Sequence, residues 1–234
     1  MLTDAANGWK PGSTAQRLRQ ARLELFCNLV RDLPQPVRVL DVGGTHQYWL
    51  AMDRSALPRM RITFLNLWAY EPDLPDAQAV VGDARDLSRF ADREFDVVFS
   101  NSVIEHVGGL REQARMAGEC VRVGKRYYIQ TPNWAFPIEP HFLFPGFQYL
   151  PLAVRARLHA WRRWGWWDKA PSYHEALAEV ESIRLLTRSE MGYLFPGATL
   201  YTERFLGLVK SFVAYGHNAG PSEIATPTPS PTVS

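Results

Sequence analysis

The chain has 234 residues, a formal net charge of +2, 46% hydrophobic and 21% charged residues. That balance fits one substantial globular domain, and a charge so close to neutral gives no general affinity for nucleic acid. No run reaches the ~18 consecutive apolar residues of a membrane span, and the polar opening Met1–Thr14 lacks the apolar core of a secretion signal, so a cytoplasmic location is expected. Cys27 and Cys120 fall in helical stretches without metal-ligand spacing and are expected as packed, reduced thiols. No metal site is expected.

In chain order, Ser13 and Gln16 have capping-box spacing, and Leu18, Ala21, Leu25 and Leu29 recur on one helical face. A cover helix over about 13–32 follows, ended by Pro34 and Pro36. Val37–Val42 reads as a buried strand that turns at Gly43-Gly44, where glycine permits a positive φ and a close approach by a ligand. His46–Leu57 is expected as a helix closed by Pro58. Strands follow at Arg61–Leu67, ending near Asn66, and at Ala79–Val81, ending in Gly82-Asp83. Asp86–Ala91 is expected as a short helix and Phe95–Phe99 as a strand. Val103–Gly118 is expected as a helix that Gly108-Gly109 splits or delays, with a fifth strand at Tyr127–Gln130. This alternation implies right-handed crossovers and a parallel sheet, covered on both faces because its strands lack polar alternation.

The stretch 134–183 differs. Pro137, Pro140, Pro145 and Pro151 stand among aromatics, ahead of a basic, tryptophan-bearing helix over Tyr149–Trp167. It reads as an insertion over the mouth of the site. Leu150, Val154, Leu158 and Trp161 form its apolar stripe, and Arg155, Arg157, Arg162 and Arg163 its basic face. Such a helix suits a lid whose arginine stems cover apolar surface, or peripheral contact with a membrane through 149–167. Thr187 and Glu190 repeat the capping box. Thr199–Arg204 and Leu208–Ala214 form a closing hairpin, turning at about Phe205–Gly207. One domain is expected over 1–216, followed by a Gly/Pro/Ser/Thr-rich disordered tail over 217–234.

In open α/β sheets, ligands bind outside the carboxyl ends of the strands, which places Asp41, Gly43 and Gly44 where a nucleotide-like cofactor is expected. These segments resemble the class I S-adenosylmethionine-dependent methyltransferases, most closely from Val39 to Asn133. Asp41-Val42-Gly43-Gly44-Thr45-His46-Gln47 matches the family's acid-x-Gly-x-Gly-x-Gly loop at Asp41 and Gly43, with Thr45 and Gln47 in place of two glycines. Gly82-Asp83-Ala84 resembles the Gly-Asp-Ala segment, and Ser100-Asn101-Ser102-Val103-Ile104-Glu105-His106 the strand followed by Glu-His.

The resemblance implies a Rossmann-like, doubly wound, mainly parallel seven-stranded sheet and S-adenosylmethionine as cofactor. Gly43, Gly44 and Asp41 would face its methionine part, Asn66 the ribose where most members carry an acid, Asp83 and Ala84 the adenine, and Ser100 the sulfonium. His106 is expected to cap or fill a niche. His141, in Pro137-Ile138-Glu139-Pro140-His141-Phe142, is the candidate base for an acceptor. Tyr48, Trp49, Trp134, Phe136 and Phe142 are candidate walls of an acceptor pocket.

Asn101-Ser102-Val103 stands where the Asn/Asp-Pro-Pro-Tyr/Phe signature of adenine and glutamine methylation would be. The expected reaction is therefore methyl transfer, with oxygen favoured, to a small-molecule, glycan or glycolipid-type acceptor, without a nucleic-acid partner. A catalytically silent scaffold of the same fold is the alternative, kept open by Thr45, Gln47 and Asn66. A nicotinamide dehydrogenase would want Gly-x-Gly-x-x-Gly after the first strand, which is absent.

Overall fold

The computed structural model describes residues 14–52 and 57–218. One seven-stranded sheet organises them. Its strands are β1 (Val37–Val42), β2 (Met60–Asn66), β3 (Ala77–Val81), β4 (Phe95–Asn101), β5 (Gly124–Pro132), β6 (Thr199–Phe205) and β7 (Leu208–His217), in the spatial order β3-β2-β1-β4-β5-β7-β6. The first five run parallel, while β7 is antiparallel to both β5 and β6. The order reverses between β1 and β4, which places the crevice at the carboxyl ends of these two strands.

Alternate residues of the central strands enter two different cores, because side chains alternate across a sheet. Leu40, Leu65, Val98, Ile129 and Ala214 face the layer containing α3 (Leu110–Val123) and α6 (Arg188–Leu194). Val39, Phe64, Phe99, Tyr128 and Val213 face the layer containing α1 (Thr14–Val30). The predicted cover helix is thus present over its described part; Ser13 lies outside the described residues. Phe26 of α1 anchors the second layer, its ring meeting Trp49, Phe99 and Tyr128 edge-on at 5.5, 5.4 and 5.8 Å.

Several elements differ from their predicted extents. The helix expected over His46–Leu57 is α2, His46–Leu50, with Ala51 as its C-cap; residues 53–56 lie outside the described part. Asp86–Ala91 is not a helix but a chain of turns, in which Asp83 and Asp86 take up neighbouring amides. Such side-chain bonds compete with helix formation. Gly108-Gly109 does divide the next segment, into a single 3₁₀ turn at Ile104–His106 and α3. The closing hairpin turns at Leu206-Gly207, both at positive φ (49° and 80°), as a two-residue hairpin turn with matching twist requires. The Thr187/Glu190 capping box is formed in full. The tail beyond Asn218 lies outside the described residues.

The insertion between β5 and α6 carries α4 (Leu152–Trp161) and α5 (Tyr173–Glu181). The basic helix is therefore shorter than the predicted Tyr149–Trp167, and its buried face differs from the apolar stripe. Ala156 and His159 are buried, whereas Val154 and Trp161 are exposed. The reason is close helix packing: Ala156, Ala170 and Ala176 meet between α4 and α5, and the buried His159 pairs with Glu179 of α5.

One buried ion pair ties the cover helix to the closing hairpin. Glu203 of β6 is 1% exposed, accepts from the Arg22 guanidinium and has Lys210 Nζ at 3.4 Å. Removing Arg22 leaves the buried Glu203 carboxylate only the longer contact with Lys210 as compensation, and an under-compensated buried charge is costly. Arg22→Ala is expected to destabilise the fold by about 3 kcal/mol in urea denaturation, and Glu203→Gln added to it to recover most of that loss.

Candidate active site

The β1–α2 turn forms the floor of the crevice. Asp41 is fully buried; its Oδ2 accepts from Trp49 Nε1 at 2.7 Å, while its Oδ1 has no partner within the protein. Burial, opposed only by the Trp49 hydrogen bond, raises its pKa to about 7. Gly43 sits at φ +76°, and a Cβ on Gly44 would lie 2.1 Å from Asp41 Oδ2. Gly44 is thus required because the turn arches directly over the carboxylate. Thr45 N-caps α2 through its backbone, with no side-chain cap bond.

Around this floor the predicted residues take distinct positions. Asn66 ends β2 and is buried, with its Nδ2 donating to the Gly44 carbonyl at 2.8 Å; it braces the turn. Leu67 and Trp68, just beyond it, are exposed. Asp83 follows β3 and is half-buried, accepting from the Arg85 amide at 2.8 Å and from Arg85 Nε at 2.9 Å, so its carboxylate is already engaged. That pairing lowers the Asp83 pKa. Ala84 is buried beside it. Ser100 departs from the expectation that it faces a ligand. It is 0% exposed, and its hydroxyl donates to the Val42 carbonyl at 3.1 Å, bolting β4 to β1. Tyr48 and Trp49, expected as pocket walls, pack instead into the core layer around Phe26.

The opposite wall is a polar cluster drawn from three segments. Glu139 is 2% exposed. Its Oε2 accepts the amides of His141 and Phe142 at 2.8 and 2.7 Å, and its Oε1 meets His141 Nδ1 at 2.6 Å. The prolines on either side, Pro137 and Pro140, hold this segment in a compact loop that a hydrogen bond from Gly146 N to the Pro137 carbonyl closes at 2.7 Å. His141 Nε2 lies 3.1 Å from His106 Nε2. His106 is therefore not a cap: one side of its ring is covered by His141 while the other is open to solvent. Glu105, beside it, is fully buried; its Oε2 accepts from Thr131 Oγ1 at 2.9 Å and its Oε1 has no hydrogen-bond partner.

Burial acts on all three titratable groups. It raises the Glu105 pKa, against the nearby His141 charge. It lowers that of His106 to about 4, with the His141 charge adding to the effect. It also pulls His141 down, but the Glu139 hydrogen bond and charge, aided by Glu105, leave its pKa raised. Gln113 of α3 fixes the Glu105 segment, donating to the carbonyls of Ile104 and Arg184 at 3.1 and 2.9 Å.

Behind Glu139 opens a cavity of about 300 Å³, walled by Trp134, Phe142, Phe147, Gln148, Arg155 and Glu190 among others. Gln148 Oε1 and Arg155 Nε are buried there without partners.

The methyltransferase domain family matches residues 14–193. The chain belongs to this family. The residues at the crevice suit a ligand that carries a cationic amino group. A buried, unpartnered carboxylate oxygen lies beneath a glycine arch at the topological switch point, where a cationic amino group would find its counter-charge. The chain is 31% identical over 87 residues to two uncharacterized proteins from Mycobacterium tuberculosis strains, a stretch that covers 37% of this chain and 30% of theirs. Its fold is similar to that of the carbon methyltransferase CurJ, with TM-score 0.55 and 12% identity over 92% of this chain and 58% of the other. It is also similar to a possible exported protein from Bordetella parapertussis, with TM-score 0.51 and 16% identity over 86% and 67% of the two chains.

Sequence reasoning located the crevice and singled out His141, but missed its contact with His106. The two histidines lie 35 residues apart, and only the prolines and acid around His141 signal that the loop is fixed in place.

Asp41 offers a test of the buried floor. Its folded pKa of about 7 exceeds the ordinary 3.8, so the folded chain holds a proton that the unfolded chain has released. The stability it contributes is therefore present at low pH and falls as pH rises from about 4 to about 7. Relative to wild type, Asp41→Asn is expected to gain melting temperature between pH 5 and pH 7 and to level off above that, as measured by differential scanning fluorimetry.

Proposed function

We propose that this chain transfers the methyl group of S-adenosylmethionine to an oxygen of a small-molecule or carbohydrate-type acceptor. The observation that carries this reading is the Glu139–His141 pair, a buried carboxylate on Nδ1 of an imidazole whose Nε2 lies beside His106. The cofactor supplies an electrophilic methyl on a sulfonium. The protein's tasks are then to position donor and acceptor in line and to deal with the acceptor's proton.

Asp41 Oδ1 and the Gly43-Gly44 turn receive the cofactor's amino-acid end. Asn66 stiffens that turn and stands beside the ribose, while Leu67 and Trp68 offer an apolar flank. Asp83 and Ala84 meet the adenine once Arg85 swings away. Ser100 acts by holding β4 against β1. On the acceptor side, Glu139 fixes the His141 ring, so that Nε2 is the atom offered to the acceptor's hydroxyl proton. The neighbouring cavity combines the aromatics Trp134, Phe142 and Phe147 with polar groups on Gln148, Arg155 and Glu190, a wall composition suited to a sugar ring.

A lipid-borne glycan is the acceptor form that also accounts for the outer face of the lid. Tyr149, Val154, Trp161 and Trp166 are exposed there, with Arg157, Arg162 and Arg163 exposed among them. Among the described residues no helix is long and apolar enough to cross a membrane, so this would be a surface contact. The protein is expected to co-sediment with anionic but not neutral vesicles, and Trp161→Ala/Trp166→Ala to reduce pelleting severalfold; absence of lipid-dependent pelleting would retire this form of the acceptor.

His141→Ala is expected to slow methyl transfer by about 10²–10⁴-fold while leaving S-adenosylhomocysteine binding, measured by isothermal titration, within about twofold. Asp83→Ala should do the reverse, weakening that binding. A folded wild type that binds no S-adenosylhomocysteine would favour the silent-scaffold alternative.

A further inference from the structure

We propose that Glu105, His106 and His141 form a binding site for a divalent transition-metal ion, closed when the lid lies on the sheet. Glu105 and His106 come from the 3₁₀ turn after β4, and His141 from the insertion after β5. Their ligand atoms all lie within 4.8 Å of one another. The two Nε2 atoms are 3.1 Å apart, on rings that meet at 86°. Two imidazole nitrogens on one zinc-sized ion, each at about 2.0–2.1 Å, stand about 2.9–3.4 Å apart for ligand angles between roughly 90° and 110°. The histidines therefore already hold the spacing of a shared ion.

Two further features point the same way. The Glu105 carboxylate is fully buried with Oε1 unpartnered, and a buried polar atom left without a partner is costly; a cation between it and the two rings answers that cost. Glu139 bonds His141 Nδ1 at 2.6 Å and is itself held by two backbone amides. A carboxylate behind the ligating imidazole sets the tautomer and aims the opposite nitrogen, as in the outer shells of metal centres. Two imidazoles and one carboxylate select ions of the zinc, manganese, iron and cobalt group over calcium or magnesium. The exposed side of His106 leaves coordination positions open to solvent or to an incoming oxygen.

The site itself stands on geometry; its place in the reaction rests on the methyl transfer proposed above. The acceptor hydroxyl binds as a further ligand, is polarised and releases its proton to water. The C–O bond then forms as the C–S bond breaks, with the bonding pair going to sulfur, and no oxidant or reductant takes part. The ion occupies the same Nε2 that serves as base when the site is metal-free, so metal loading replaces the imidazole route with a faster one.

The test uses the full chain, stripped with dipicolinate, desalted and titrated with ZnCl₂ and, separately, CoCl₂. One equivalent of retained zinc by elemental analysis and visible d–d bands with cobalt are expected. Glu105→Gln, His106→Gln and His141→Ala should each lose retention, and Glu139→Gln should weaken it by about 10–100-fold. His174→Ala, at an exposed histidine on α5, should retain the ion, and circular dichroism would confirm that each variant is folded. No stoichiometric zinc in the wild type, or equal retention by folded His106→Gln and Glu105→Gln, overturns the metal site. If S-adenosylhomocysteine binding and the His141→Ala effect persist in that case, the transferase reading stands without it; retained zinc with no S-adenosylhomocysteine binding would sink the transferase reading and leave the metal site in place.

Discussion

The structure turns on a carboxylate placed underneath the turn that follows it. Asp41 ends the central strand with no exposure to solvent, and the chain reverses over it through two glycines. The second of these has no room for a side chain, since the carboxylate occupies the volume a Cβ would need. One carboxylate oxygen takes the Trp49 indole, which joins the turn to the aromatic layer beneath α1. The other oxygen is left without a partner. Because folding alone does not satisfy this group, the floor of the crevice is built with an unmet demand for positive charge. A ligand with a cationic amino group would meet that demand at the switch point, where β1 and β4 part.

Most of the fold was legible because the sheet is buried on both sides. Runs such as Val37–Val42 and Phe95–Phe99 have no polar alternation and end in Gly or small polar residues, so both their type and their direction could be read. The hairpin and the Thr187/Glu190 cap were legible for local reasons, each being fixed by residues within a few positions of one another. The failures fell where distant packing overrides pattern. α4 looks amphipathic along Leu150, Val154, Leu158 and Trp161, yet it buries Ala156 and His159, because α5 can approach closely only over small side chains. Nothing near α4 in sequence announces that partner.

The site divides in the same way. Asp41, Gly43, Gly44 and Asp83 belong to segments whose spacing from strand ends is readable. Ser100 and Asn66 occupy the expected places, but their polar atoms are turned inward to carbonyls of β1 and of its turn. Whether a polar side chain at a strand end faces a ligand or a neighbouring strand depends on a single rotamer, which sequence does not encode locally. The Glu105–His106–His141–Glu139 cluster was less legible still, since it exists only when the insertion folds back. Two of its members belong to the sheet's own connection and two to the insertion, so polar contacts as well as apolar packing hold the insertion against the segment after β4.

The position of β7 has a consequence for how the chain is made. It is the last of the described strands in sequence, yet it lies inside the sheet, with β5 on one flank and β6 on the other. Until it has been synthesised, β5 keeps a bare hydrogen-bonding edge lined by Tyr128 and Ile129, and β6 has no neighbour to pair with. An unpaired apolar edge is a template for strands of other chains. The nascent protein therefore emerges with its sheet open at an interior seam, and the hairpin at Leu206-Gly207 brings β6 and β7 in as a unit to close it. Pairing of β7 with β5 is thus a late registration step, and until it occurs the open edge exposes the chain to aggregation.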